Sequence, residues 1–136
     1  MSGVLVDSNV LLDVLVDTPH WSAWSADALR RAGDDGPLVI NPIVYAEIAA
    51  GYDTLAEVDV ALPISVYRRE HLPWAAAFLA GKAYVQHRRR RGLARSPLPD
   101  FYVGAHAAVA RYRLLTRDPA RYRTYFPTVD LIAPAA

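Results

Sequence analysis

The chain of 136 residues contains no cysteine. That excludes disulfides, thiolate metal sites and thiol nucleophiles, and it fits a cytoplasmic protein. No apolar run approaches the roughly 18 residues of a membrane span, so no membrane association is expected. A basic segment followed by an apolar block is missing at the N-terminus, so no secretory signal is expected. Repeats, low-complexity tracts and linkers are absent as well, and the length fits one domain over 1–136. Net charge is only +1.

What the chain does contain is 53% hydrophobic and 21% charged residues, the balance of a folded globular protein. Its charges are divided. Residues 1–66 hold ten Asp/Glu against two Arg, a net −8, whereas residues 67–136 hold four Asp/Glu against thirteen Lys/Arg, a net +9. Such division accompanies nucleic-acid or acidic partners or self-association, unless the halves neutralise one another within one fold.

Gly3–Val6 reads as a strand without polar alternation, buried on both faces as in a parallel sheet. Pro19 to Ala32 is expected to be helical, with Trp21, Trp24, Ala28 and Leu29 as its apolar stripe and Gly33–Gly36 as its end. Leu38–Ile40 is a second strand. Asn41-Pro42 supplies an N-cap followed by proline at the first helical position, starting a helix that Gly51 closes. Thr54–Ala61 reads as a helix, and Ile64–Tyr67 as strand or turn. Pro73 opens a long helix to about Arg91, with Trp74, Phe78, Gly81 and Val85 along one face. A loop at Gly92–Pro99 precedes a helix from Asp100 to Ala110, a strand at Arg113–Thr116, a turn or short helix at Pro119–Tyr125 and an edge strand at Thr128–Ile132. Strands alternating with helices imply an α/β fold around a mainly parallel sheet.

Four acids fall at element ends or on inward faces. Asp7 follows the first strand. Glu47 lies beside Ile43, Ala46 and Ala50, a stripe expected to be buried. Asp100 heads a helix, and Asp118 follows the strand "LLT". In open α/β sheets the functional crevice lies outside the carboxyl ends of the strands, and four acids converging there would hold a hard divalent cation. Each has an ordinary reading too: Asp7 and Asp100 as helix caps, Asp118 before Pro119 as a turn residue. Glu47 is the least ordinary, since carboxylates are rarely buried unpaired. All-oxygen ligands favour Mg²⁺ or Mn²⁺.

The stretches "VDSNVLLD", "NPIVYAEI", "LPDFYVGAHA" and "LLTRD" resemble, in order and spacing, the PIN-domain ribonucleases, and among them the VapC-type toxins of toxin–antitoxin pairs. The resemblance covers essentially the whole chain. It implies a three-layer α/β/α fold with strand order 3-2-1-4-5, and an acidic quartet at Asp7, Glu47, Asp100 and Asp118. It further implies Mg²⁺- or Mn²⁺-dependent hydrolysis of RNA leaving a 5′-phosphate, with Ser8, Asn9 and Thr116 supporting the ligands. A VapB-type antitoxin and a homodimer are the implied partners. Some members carry a further acid in the helix begun by Asp100; here Val103 and Gly104 stand in its place.

Arg88, Arg89, Arg90, Arg91 and Arg95, in "HRRRRGLAR", are candidates for RNA phosphate contact, or else a solvated helix end. Tyr102, Tyr112, Tyr122 and Tyr125 are either base-stacking or core residues. His20, His71 and His87 are expected at exposed or junction positions and show no metal-pair spacing, and His106 lies on the site helix two turns from Asp100. A haloacid-dehalogenase-like phosphatase would need a second Asp where Asn9 stands. A non-catalytic RNA- or protein-binding module on the same fold is the remaining alternative. At least one of the crowded carboxylates is expected to have a raised pKa. Asp13, read as a turn residue, is expected to be dispensable.

Overall fold

The computed structural model describes residues 3–91 and 98–135, and of Arg91 only the backbone. The loop expected over Gly92–Pro99 therefore lies largely outside the described residues, as does Arg95, and its described end, Leu98 and Pro99, is helical instead. Five short parallel strands form the sheet: β1 (Val4–Val6), β2 (Leu38–Ile40), β3 (Tyr67–Arg69), β4 (Arg113–Leu115) and β5 (Leu131–Ile132). Their order is β3-β2-β1-β4-β5, as the resemblance implied. The strand order reverses between β1 and β4. Val4, Leu5 and Val6 are wholly buried, the state their unbroken apolar sequence requires when helices cover both faces.

The helices are α1 (Ser8–Leu15), α2 (Ser22–Asp35), α3 (Pro42–Ala49), α4 (Leu55–Ala61), α5 (Trp74–Arg91), α6 (Leu98–Ala110) and α7 (Ala120–Tyr125). Asn41 caps α3 as expected, its side chain accepting from the Val44 N–H at 3.0 Å. Thr54 and Glu57 form a reciprocal capping box that starts α4. Among the described residues no helix is long and apolar enough to cross a membrane.

Several expectations are corrected. Helix α2 begins at Ser22, not Pro19, and continues past Ala32 through Asp35, with ion pairs of Arg30 to Asp27 and Asp34 along it. Segment 64–67, read as strand or turn, divides between the two: 64–66 is a turn, closed by the Val66 and Tyr67 N–H groups on the Pro63 carbonyl, and the strand begins at Tyr67. In α3 the buried positions are Val44 and Ile48; Ala46 and Ala50 are exposed and Glu47 is half-buried. The stripe Trp74, Phe78, Gly81 and Val85 faces outward, and Trp74 is 91% exposed. Helix α5 instead buries Ala76, Ala80, Ala83 and His87. Small residues there let α5 approach α6 closely, which a search for large apolar side chains passes over. The last strand is shorter than expected, but it is an edge.

Gly104 on α6 has a packing reason. A Cβ there would stand 2.4 Å and 2.6 Å from atoms of the Phe126 ring and 3.0 Å from the Tyr122 ring. Gly104→Ala is therefore expected to destabilise the protein by about 1–3 kcal/mol in denaturant titrations, the usual range for overpacking.

Candidate active site

The ladder between β1 and β4 continues one residue past the strands: the Asp7 N–H donates to the Leu115 carbonyl at 2.9 Å. This fixes Asp7 beside Thr116 at the point where the strand order reverses. Asp7 is 4% exposed and caps α1, its Oδ1 accepting from the Ser8 N–H at 2.8 Å. Its Oδ2 accepts from the hydroxyls of Thr116 at 2.9 Å and Tyr122 at 2.8 Å. Capping and a place in the crevice are thus the same fact about this side chain, not alternatives.

The other acids stand on neighbouring elements. Glu47, on α3, accepts from the Ser8 hydroxyl at 2.9 Å. Asp100, in the first turn of α6, is paired with Arg121 of α7 at 2.6 Å. Asp118 follows β4, and its N–H donates to Thr116 Oγ1 at 3.1 Å. Asn9 spans the group, its Nδ2 lying 3.5 Å from Asp7, 3.3 Å from Thr116 and 3.5 Å from Asp118. Every residue that the sequence singled out around the quartet (Ser8, Asn9 and Thr116) touches at least one of its acids.

Electrostatics joins the four. Burial, opposed by the Tyr122 and Thr116 hydroxyls and reinforced by the charges of Asp100 and Glu47, lifts the Asp7 carboxyl to about 6. Glu47 is raised by burial and by Asp100, against the Ser8 hydroxyl. Asp100 is raised by burial and by Asp118, against Arg121. The expectation of at least one raised carboxylate therefore holds for three. Donors of this kind suit a hard divalent cation: all are oxygens, and they repel one another until something positive neutralises them. As the side chains stand, no three Asp, Glu or His groups among the described residues are gathered closely enough to clasp an ion. The carboxylates are turned instead onto hydroxyls and Arg121.

Sequence reasoning missed several neighbours of this site. Asp13 is not on a turn; it sits within α1, 1% exposed. It accepts from Ser25 Oγ at 2.8 Å and from Arg117 through Nε at 2.8 Å and Nη2 at 3.0 Å. Arg117 stands between Thr116 and Asp118, so this bidentate pair anchors the segment that carries Asp118. Tyr122, read as base-stacking or core, is buried and bonded to Asp7. His87 is likewise buried, against Phe101 and Tyr125. His106 is wholly buried and bridges Asn41 and Glu70, with Tyr112 donating to Glu70 beside it. It thereby ties the start of α3, the helix of Glu47, to α6, the helix of Asp100. Of the basic run, Arg88, Arg89 and Arg90 are exposed, and the Arg90 guanidinium lies 5.7 Å from the centre of the Tyr125 ring. The side chains of Arg91 and Arg95 lie outside the described residues.

Known structures share this architecture. The chain is similar to one in a VapBC2 complex from Rickettsia felis bound to a promoter DNA fragment, at 16% identity and a TM-score of 0.72, covering 97% of this chain and 98% of that one. It is similar to a chain of a toxin–antitoxin complex from Klebsiella pneumoniae, at 21% identity and a TM-score of 0.68, covering 98% of both. A chain of FitAcB from Neisseria gonorrhoeae gives 16% identity and a TM-score of 0.68, with 95% and 96% covered. At these identities the likeness is one of fold. No curated protein matches the sequence. Residues 4–127 match the family model of the PIN domain, and the chain belongs to that family.

Proposed function

We propose that this protein is a Mg²⁺- or Mn²⁺-dependent ribonuclease, acting as the toxin of a toxin–antitoxin pair. The observation that carries the reading is the set of mutually repelling carboxylates where the strand order reverses, with Asp7 buried among them. Membership of the PIN family and the toxin–antitoxin complexes among its structural neighbours support it.

Asp7, Asp100 and Asp118 would hold the cation, with Glu47 joining them or orienting the attacking water. A bound divalent cation would lower the pKa of that water and offset charge on the phosphodiester. The chain's own part is positional. Thr116 and Tyr122 fix one oxygen of Asp7, Ser8 directs Glu47, and Asn9 keeps Asp118 beside Asp7. Water attacks phosphorus, the 3′-oxygen leaves, and the product carries a 5′-phosphate.

Arg88, Arg89 and Arg90, with Arg91 and Arg95, would contact RNA phosphates leading to the crevice. Arg90 lies over Tyr125, whose ring meets Phe101, the residue after Asp100, at 5.1 Å. Replacing Arg88, Arg89 and Arg90 with glutamine is expected to weaken RNA binding. The log–log salt slope should fall by about 0.7 for each phosphate that is no longer neutralised. An unchanged slope assigns these cations to a solvated helix end.

A VapB-type antitoxin, a homodimer and a cytoplasmic setting complete the reading. The test is incubation of end-labelled single-stranded RNA with the purified protein, in EDTA and in Mn²⁺, followed by mapping of the ends. Cleavage only with the cation, leaving 5′-phosphates, is expected. Binding without cleavage under both conditions would instead make the protein a non-catalytic binding module.

A further inference from the structure

Helix α7 contributes two adjacent side chains to the acidic crevice, and the proposed quartet includes neither. Tyr122 is buried and bonded to Asp7 at 2.8 Å, which fixes the rotational setting of this short helix. With residue 122 pointing at Asp7, residue 121 reaches Asp100, and its Nη1 lies 2.6 Å from Oδ2. The Arg121 side chain remains 41% exposed, so a ligand in the crevice can reach it. Arg117, also close by, is differently placed: its guanidinium is held by both oxygens of the buried Asp13 and is not free to move.

We propose that Arg121 is the phosphate-binding residue of the cleavage site, kept on Asp100 until a divalent cation displaces it. This rests on the metal-dependent nuclease reading above. A guanidinium and a divalent cation both seek the Asp100 carboxylate, and they repel each other. Once the carboxylate is neutralised, the attraction that held Arg121 there falls. The planar, permanently charged guanidinium then stands at the edge of the crevice, matched in shape and charge to a phosphodiester. The same side chain would keep Asp100 compensated in the resting protein and clamp substrate in the loaded one.

Arg121→Gln separates this role from a structural one because it moves two measurements in opposite directions. Calorimetric titration of Mn²⁺ into the RNA-free protein should show tighter binding in the variant, by about threefold or more, since the competing cation is gone. In Mn²⁺, kcat/KM on an RNA oligonucleotide should fall by about tenfold or more, mostly through KM, and its salt slope should shrink by about 0.7. Arg121→Lys, which keeps the charge but not the fork, should restore Mn²⁺ affinity towards the wild-type value and recover only part of the cleavage. A structural arginine would lower both quantities together. The proposal is overturned if Arg121→Gln leaves Mn²⁺ affinity unchanged or weaker, or if KM and the salt slope do not move. Should the wild type bind Mn²⁺ and cleave RNA while the variant matches it, only the role of Arg121 fails; should the wild type do neither, the nuclease reading fails with it.

Discussion

Asp7→Asn is expected to abolish RNA cleavage while making the metal-free protein more stable at neutral pH. The two effects have one origin. In the folded chain the Asp7 carboxyl titrates at about 6, against 3.8 for an unperturbed aspartate. The native state therefore binds this proton more tightly than the unfolded state does. Its contribution to stability is fully present below about pH 4 and is lost as pH rises through 6. At 1.36 kcal/mol per unit, keeping the group ionised at pH 7.5 costs the fold about 2–3 kcal/mol, which asparagine does not incur. Melts in EDTA should thus show wild type and variant close together at pH 4, with the variant pulling ahead between pH 5 and 7. Asparagine keeps an oxygen for the Ser8 N–H, so the cap on α1 survives. Its amide takes the place of Oδ2, where the Tyr122 hydroxyl can turn from donor to acceptor, as the Arg117 guanidinium beside Asp13 cannot. Were Asp7 only a cap, the substitution would lower stability, by about 0.5–2 kcal/mol, at every pH. Mn²⁺ should stabilise the wild type more than the variant, because binding to the native state is what stabilises it.

The second large effect is at Asp13, and it reverses what the sequence implies. Asp13→Asn is expected to destabilise the protein by about 1–3 kcal/mol, because the buried Ser25 hydroxyl and the partly exposed Arg117 lose the carboxylate that accepts from both. Arg117 donates twice to this carboxylate and Ser25 donates once. An asparagine amide would turn a donor towards donors. Arg117→Gln should also be costly, but the double variant should cost clearly less than the sum, since the two side chains act as a unit. Urea titrations of the four proteins measure this directly, and additive losses would show that the pair is not coupled. Because Arg117 precedes Asp118, the surviving folded fraction of Asp13→Asn should also cleave poorly. Asp34, exposed and only 3.8 Å from Arg30, is the proper neutral control; Asp34→Asn should alter neither stability nor cleavage measurably.

What could be read from the sequence was what local signals decide. The unbroken apolar run of β1, the Asn41-Pro42 start of α3 and the places of Asp7 and Asp118 just past their strands depend on a few adjacent residues, and they fell where expected; Asp100 was expected to head its helix, which begins two residues earlier. The strand order came from the family resemblance, not from any one segment. What could not be read depends on partners far along the chain. Asp13 looks like any polar residue in a short helix until α2 supplies Ser25 and the segment after β4 supplies Arg117. Tyr122 lies 115 positions from the carboxylate it holds, and a tyrosine near a turn carries no mark of that role. Helix α5 misled for another reason. Its largest apolar residues, Trp74 and Phe78, are exposed, while its alanines pack inward, so apolar size and burial part company. His87 was misplaced because a histidine beside four arginines looks solvated, although its ring sits against Phe101 and Tyr125.

Asp7, Glu47, Asp100 and Asp118 are expected to act together as one site for a divalent cation. Calorimetric titration of Mn²⁺ into the wild type and into Asp7→Asn, Glu47→Gln, Asp100→Asn, Asp118→Asn and Asp34→Asn tests it most directly. Saturable binding is expected to the wild type and to Asp34→Asn, with affinity reduced about tenfold or more in each of the other four, because each loses a charged oxygen donor. Absence of Mn²⁺ binding to the wild type, or binding that the four substitutions leave unchanged, would contradict it.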